Sequence, residues 1–184
     1  LTAKNTLVVN AADKNIWVKT KARVIKIKPL TAKINPDLST TFGNYTLPIP
    51  APHLSANVAI AVEIAKLLGA SKVQLKTGVN QAVLALHRMQ PIRLKNGGLI
   101  IDDVYNASPS ATQEAITTLY QLSTITKRIP VLVFGQMNEL GELETSEHQK
   151  IKELIKRLEI KHVITRGPAT KGLGIYCETN EQVL

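Results

Sequence analysis

This chain of 184 residues is poor in cysteine, in aromatic residues and in long apolar runs, and each shortage excludes something. A single cysteine, Cys177, rules out an internal disulfide framework and fits a reducing compartment. Its place in an apolar strand pattern suits a packed thiol better than a nucleophile. No apolar run approaches the roughly 18 residues of a membrane span, and no signal peptide opens the chain. Aromatics make up only 4% of the residues, and no nucleic-acid motif accompanies the basic ones. The phosphate-binding pattern G-x-x-x-x-G-K-[ST] is also absent, so this sequence has no loop of that kind to cradle a β- or γ-phosphate. Acidic residues are scarce in the first half. Residues 1–95 carry 14 Lys/Arg against 3 Asp/Glu, and residues 96–184 carry 9 against 11. That asymmetry predicts two segments with different ligands or histories.

What is present is a globular composition, 44% apolar and 20% charged. Leu7-Val8-Val9-Asn10 reads as a short buried strand, and residues 16–28 and 45–50 alternate with period 2, as antiparallel strands do. Lys19, Lys21, Arg23, Lys26 and Lys28 fall on the wet side of that alternation. Asn35 to Asn44 reads as a turn region, and Pro48, Pro50 and Pro52 end any strand before a helix. That helix is predicted from Leu54 to Leu68, with Val58, Ala61, Ile64, Ala65 and Leu68 on its apolar face and Gly69 as its C-terminal cap. A second helix is predicted over Lys72–Leu86. His87 to Pro91 reads as a connector, which places a domain boundary near residue 90.

From Leu94 the pattern becomes strand–helix–strand–helix, the mark of a mainly parallel, doubly wound α/β sheet. Leu99-Ile100-Ile101 is read as its first buried strand. A helix follows, capped by Ser108 with Pro109 or by Ser110 with Gln113, with Ala111, Ala115, Ile116, Leu119 and Leu122 inward. Ile129 to Gly135 is the next strand, and Ile151, Leu154, Ile155 and Leu158 give the next helix its stripe. His162–Thr165 and Gly174–Cys177 complete the strands. The most informative junction is Asp102-Asp103-Val104-Tyr105-Asn106, where two carboxylates close an apolar strand just before a helix begins. Ligands bind at such strand ends in open α/β sheets, although an Asp there can simply cap the turn.

Three ordered blocks carry a resemblance. Asp102 to Pro109 is similar to the "DDxYNANP" segment of the Mur ligase family. Gly135 to Glu142, followed by His148, resembles its "GDMxELGE…H". His53-Leu54-Ser55-Ala56-Asn57 resembles "GxHNxxNxxAA", and Arg93 falls where the family's inter-domain arginine lies. The likeness is greatest to the branch that adds D-alanyl-D-alanine to a UDP-muramyl tripeptide. The resemblance implies residues 1–90 as the end of a central ATPase domain, β-rich and helical. It implies residues 91–184 as most of a Rossmann-like C-terminal domain, cut short at its end. It further implies a cytoplasmic, monomeric ligase of peptidoglycan precursors, serving cell-wall biogenesis, cell shape and division. ATP and Mg²⁺ would drive amide formation through an acyl phosphate, with no nucleic-acid or membrane partner.

By the same resemblance Asp103, Arg93, Tyr105, Asn106, His53 and Asn57 would face the nucleotide. Met137, Asn138, Glu139 and His148 would help form the pocket for the incoming dipeptide. Each has a plainer reading. His53 can cap its helix, Arg93 can sit on a surface strand, Met137 can pack the core, and His148 can be a buried, hydrogen-bonded histidine rather than a catalytic one. The chain departs from the family's pattern at Ala51, Leu54, Ile92, Ser108, Ala111 and Gln136. Without the phosphate loop, the isolated chain is expected to be inactive and to bind ATP weakly. A non-catalytic binding module that kept the Mur ligase fold is the alternative.

Overall fold

The computed structural model describes residues 1–15 and 19–183. The first three residues of the strand expected over 16–28 therefore lie outside the described residues. The chain divides into two compact units, Leu1–Val83 and Leu84–Leu184.

In the first unit β1 (Thr6–Asn10) pairs with β2 (Arg23–Ile27), and the pairing is parallel rather than antiparallel. Lys19, Lys21, Arg23, Lys26 and Lys28 are all exposed, as the alternation predicts. β3 (Ala32–Ile34), β4 (Thr40–Phe42) and β5 (Tyr45–Leu47) form an antiparallel meander. β4 lies inside the stretch read as a turn. Its polarity hides it, because fully buried Thr40 donates its hydroxyl to Ile49 O (2.8 Å) and accepts from Ala51 N–H (2.9 Å). A threonine satisfied in this way is as buried as a valine, but hydrophobic periodicity does not register it.

A 3-10 turn at Pro52–Leu54 leads into α1 (Ser55–Leu67), which packs on β1 and β2. Its buried residues are Val58, Ala59 and Val62. Ile64 and Leu68 of the expected stripe are 43% and 83% exposed. Two strands cover a narrow strip, so only the central turn of the helix is sealed. Gly69, at φ +89, closes the helix as expected. Gly69 N–H donates to Lys66 O and Ala70 N–H to Ala65 O, the two bonds of a Schellman end. α2 (Lys72–Asn80) opens on a reciprocal capping box between Ser71 and Gln74 and stops six residues short of the expected Leu86.

In the second unit β6 (Gln90–Arg93) and β7 (Leu99–Asp102) form an antiparallel hairpin. This differs from two expectations: the connector of 87–91 is half strand, and Leu99–Ile101 is paired to β6 and half exposed rather than buried in the parallel sheet. Asn96-Gly97-Gly98 turns the hairpin, with Gly97 N–H donating to Leu94 O (3.0 Å) and Leu94 N–H to Gly98 O (2.9 Å). α3 (Pro109–Thr126) starts with Ser108 at the cap and Pro109 in its first turn. β8 (Val131–Gly135), β9 (His162–Arg166) and β10 (Ile175–Cys177) form a parallel three-stranded sheet, and α4 (Glu144–Arg157) connects β8 to β9. The α/β class expected from the alternating pattern holds, and Cys177 is free and buried.

The core of this unit gathers Ile116 from α3, Phe134 from β8, Met137, Ile151, Leu154 and Ile155 around α4, and Ile160 and Val163 at β9. At about 1.5–3 kcal/mol for each large apolar side chain buried, this cluster is the unit's main source of stability.

Candidate functional site

Two features of the second unit meet at the strand ends. The first is a corner between residues 87–89 and 102–106. Asp102 Oδ2 lies 2.8 Å from His87 Nδ1, and Asp103 Oδ1 accepts from Met89 N–H at 3.1 Å. Tyr105 N–H donates to His87 O at 3.2 Å, and the Arg88 guanidinium carbon sits 4.3 Å from the Tyr105 ring centroid. Four contacts thus fasten a stretch whose backbone is unusual: His87 (φ 62) and Met89 (φ 47) are both left-handed without being glycine. Met89 is 2% exposed and anchors the stretch, while Tyr105 is 62% exposed and presents its ring outward.

Asn106 is exposed beside that ring. Arg93 is not brought to this corner. It pairs with Leu99, at the far end of the hairpin from the Gln90–Asp102 pair, about 10 Å along the strand at ~3.3 Å per residue. Arg88 is the cation found there instead. Sequence reading passed over it because a lone arginine in a connector carries no pattern of its own. His53 and Asn57 belong to the first unit, exposed at the start of α1 and one helical turn apart.

The second feature is an open cleft of about 890 Å³ at the carboxyl ends of the parallel strands. Gln136 and Asn138 follow β8, Arg166 ends β9 and Gly167 follows it, and Glu178 follows β10. Val104 also lines it, so the cleft begins beside the Asp103–Tyr105 corner. Strand ends in open α/β sheets collect unpaired backbone groups and loop side chains, which makes them habitual ligand sites. A guanidinium and a carboxylate lining one cleft suit a ligand carrying both charges. Arg166 and Glu178 were not singled out from the sequence, since nothing but their place at the end of a strand marks them.

The other residues read from the second block divide in two. Asn138 and Glu139 are exposed on the loop, Glu139 with φ 61, and Asn138 Oδ1 accepts from Gln136 Nε2 at 2.8 Å. Met137 is fully buried and points into the core, so the loop's contribution to the cleft comes from its neighbours. His148 is 4% exposed. Its Nε2 accepts from Met137 N–H at 3.1 Å, and its Nδ1 lies 2.8 Å from Glu144 O, to which it must donate. Both ring nitrogens are engaged in the neutral Nδ1–H tautomer, so His148 fixes the loop and has no nitrogen left to move a proton. The plainer of its two readings describes its geometry.

Among the described residues no three His, Cys, Asp or Glu side chains converge to hold a metal ion. Asp102 and Asp103 are each tied by a hydrogen bond to residues 87–89.

Residues 87–174 match the family described as Mur ligase, glutamate ligase domain. The chain is 31% identical over 121 residues to the UDP-N-acetylmuramoyl-tripeptide–D-alanyl-D-alanine ligase of Escherichia coli K12, covering 66% of this chain and 26% of that one. It is 30% identical over 125 residues to the Bacillus subtilis ligase of the same name, covering 68% and 27%. A Buchnera aphidicola ligase of that name matches 94% of this chain at 26% identity, over 41% of its own length. The chain thus spans about a quarter to two fifths of the curated relatives it matches. In fold it is similar to a crystal structure of MurF from Acinetobacter baumannii, with a TM-score of 0.71 at 23% identity over 88% of this chain and 39% of that one. It is also similar to the MurF ligase of Thermotoga maritima in complex with ADP, with a TM-score of 0.64 at 21% identity over 89% and 41%.

Proposed function

Through residues 87–174 this chain belongs to the Mur ligase family, and on that premise we propose that it is part of an ATP-dependent ligase joining D-alanyl-D-alanine to a UDP-muramyl tripeptide. Its own share is to hold the nucleotide from one side and to seat the incoming amine. The observation that carries this reading is the adjacency of the Arg88–Asp103–Tyr105 corner to the strand-end cleft, with Val104 common to both. An amide ligase needs an activated carboxyl and an attacking amine within reach of each other, and these two features serve those two parts.

Asp103, oriented by Met89 N–H, accepts from the ribose hydroxyls. Tyr105 and Asn106 flank the nucleotide. Arg88, beside Tyr105, takes the nucleotide-facing place that the resemblance implies for Arg93, and stabilises negative charge as it develops. In the cleft, Arg166 pairs with the dipeptide carboxylate, and Glu178 with its ammonium before the amine is deprotonated for attack. Asn138 lines the facing rim and Glu139 follows it on the same loop, which His148 holds through Met137 N–H. ATP supplies the phosphoryl group that activates the carboxyl. Mg²⁺ would screen its phosphates in the whole enzyme.

An amide-shift titration of the chain tests this. D-alanyl-D-alanine is expected to move Gln136, Asn138, Arg166 and Gly167 saturably, and ATP to move Arg88 and Asp103–Asn106 only with affinity weaker than micromolar. With both ligands and UDP-muramyl tripeptide present, the chain alone is expected to release no ADP, because its sequence has no phosphate loop. Absence of both shifts would overturn the reading, and steady turnover would overturn the claim of inactivity.

A further inference from the structure

The two rims of the strand-end cleft belong to different loops, and something has to set their spacing. Backbone does little of it. Gln136 N–H donates to Arg166 O at 3.0 Å, one rung beyond the last β8–β9 register pair, and the loops then part. Each rim is fixed on its own side. Met137 N–H is held by His148 against α4, and Thr170 closes the other turn by donating its hydroxyl (2.7 Å) and its N–H (3.0 Å) to Gly167 O.

The bridge between them is the Gln136 side chain. Its Nε2 donates to Asn138 Oδ1 at 2.8 Å on its own rim, and its Oε1 accepts from Ala169 N–H at 3.4 Å on the opposite one. It lies along the backbone of Gly167, where a β-carbon would come within 2.7 Å of Oε1, 2.8 Å of Cγ and 2.9 Å of Cβ. Gly167 also sits at φ +101, which side chains rarely adopt, so the notch is doubly reserved. The related family motif has aspartate before the methionine. Gln136 is one methylene longer and neutral, and its amide can donate to one rim while accepting from the other, which a carboxylate cannot do.

We propose that Gln136 is a positioning residue that couples the 136–139 loop to the Gly167–Thr170 turn and so sets the spacing of the cleft for its amine substrate. The substrate half of this statement rests on the functional reading above; the coupling does not.

Three variants test it in the intact chain by amide hydrogen exchange and by titration with D-alanyl-D-alanine. Gln136→Met keeps length and packing without either hydrogen bond, Gln136→Ala empties the notch, and Gln136→Glu keeps only the acceptor. In Gln136→Met, exchange at Ala169 and Asn138 is expected to rise and the dissociation constant to increase roughly three- to tenfold, for one or two hydrogen bonds lost. Melting temperature and the exchange of α4 and β9 amides should hold. Gln136→Glu should fall between wild type and Gln136→Met. Unchanged exchange at Ala169 and Asn138 in both Gln136→Met and Gln136→Ala would overturn the coupling. So would full retention by Gln136→Met, since packing alone would then suffice. If the unaltered chain does not bind the dipeptide, the functional reading falls, and the exchange comparison decides the coupling alone.

Discussion

Asp37, Asp102 and Asp103 show how differently one residue type is used in this chain. Asp102 and Asp103 are neighbours at the end of β7, yet one meets an imidazole and the other a backbone N–H, both from residues 87–89. Asp37 serves a turn. Its Oδ1 accepts from the Ser39 hydroxyl (2.7 Å) and from Ser39 N–H (2.9 Å), while Asn35 reaches across to Ser39 and Thr41. These bonds hold the Asp37 carboxyl below its ordinary value, the Ser39 hydroxyl contributing most and its N–H next. A carboxyl depressed in the folded state contributes stability that is fully present above its unfolded value, about 3.9, and is lost as pH falls through the lower folded value. Asp37→Asn is therefore expected to lower the melting temperature at pH 6, with the difference from wild type shrinking below about pH 4. A difference that stays constant from pH 6 to pH 3 would show that the charge does not contribute.

At the scale of elements, α4 is the piece on which the cleft loop depends. Its buried stripe of Ile151, Leu154 and Ile155 was readable from spacing alone, and His148 continues it by one turn. His148→Ala would leave Met137 N–H without its partner inside the core and open a void beside Phe134, whose ring centroid lies 6.1 Å from the imidazole. A loss of about 2–4 kcal/mol in urea unfolding is expected from a cavity and an orphaned donor together. His148→Gln, which can still accept from that N–H, should recover part of it; a loss under about 0.5 kcal/mol for His148→Ala would mean the loop is held otherwise.

Such elements were legible because a large core imposes a clean period. Others were not, each for a physical reason. β4 buries Thr40, whose hydroxyl is satisfied internally, so its polarity mimicked a loop. The face of α1 was assigned by counting apolar residues, whereas a two-stranded sheet seals only Val58, Ala59 and Val62. The Asn96-Gly97-Gly98 hairpin signal was present but outweighed by the apolar run after it. The site divides in the same way. Of the candidate residues, Asp103, Tyr105 and Asn138 were marked by motifs, whereas Arg88, Arg166 and Glu178 owe their places to tertiary folding and leave no local mark.

At the scale of the whole molecule, the charge asymmetry of the sequence follows the division into units. The first unit holds nearly all of the excess positive charge, and the second balances its basic residues with the acidic ones around α4. The division into compact units falls at Val83–Leu84, and Gln90–Arg93, hydrogen-bonded to β7, belongs to the second unit. Between Asn80, the end of α2, and Gln90 there is no regular element. Val83 is 90% exposed and Leu86 72%, which gives a protease apolar side chains on backbone outside any helix or sheet. Beyond Leu86 the backbone is fastened again by the contacts of His87, Arg88 and Met89. Limited digestion with thermolysin is therefore expected to cut first between Ala82 and Leu86. It should leave two fragments that each resist further cleavage, the larger beginning at Val83–Leu86. An additional Asp102→Ala substitution, by releasing His87, should extend the cleavable stretch toward Met89 without exposing α3 or β8. Early cuts inside α3, or one large resistant product, would mean that the two units do not fold as separate cooperative bodies.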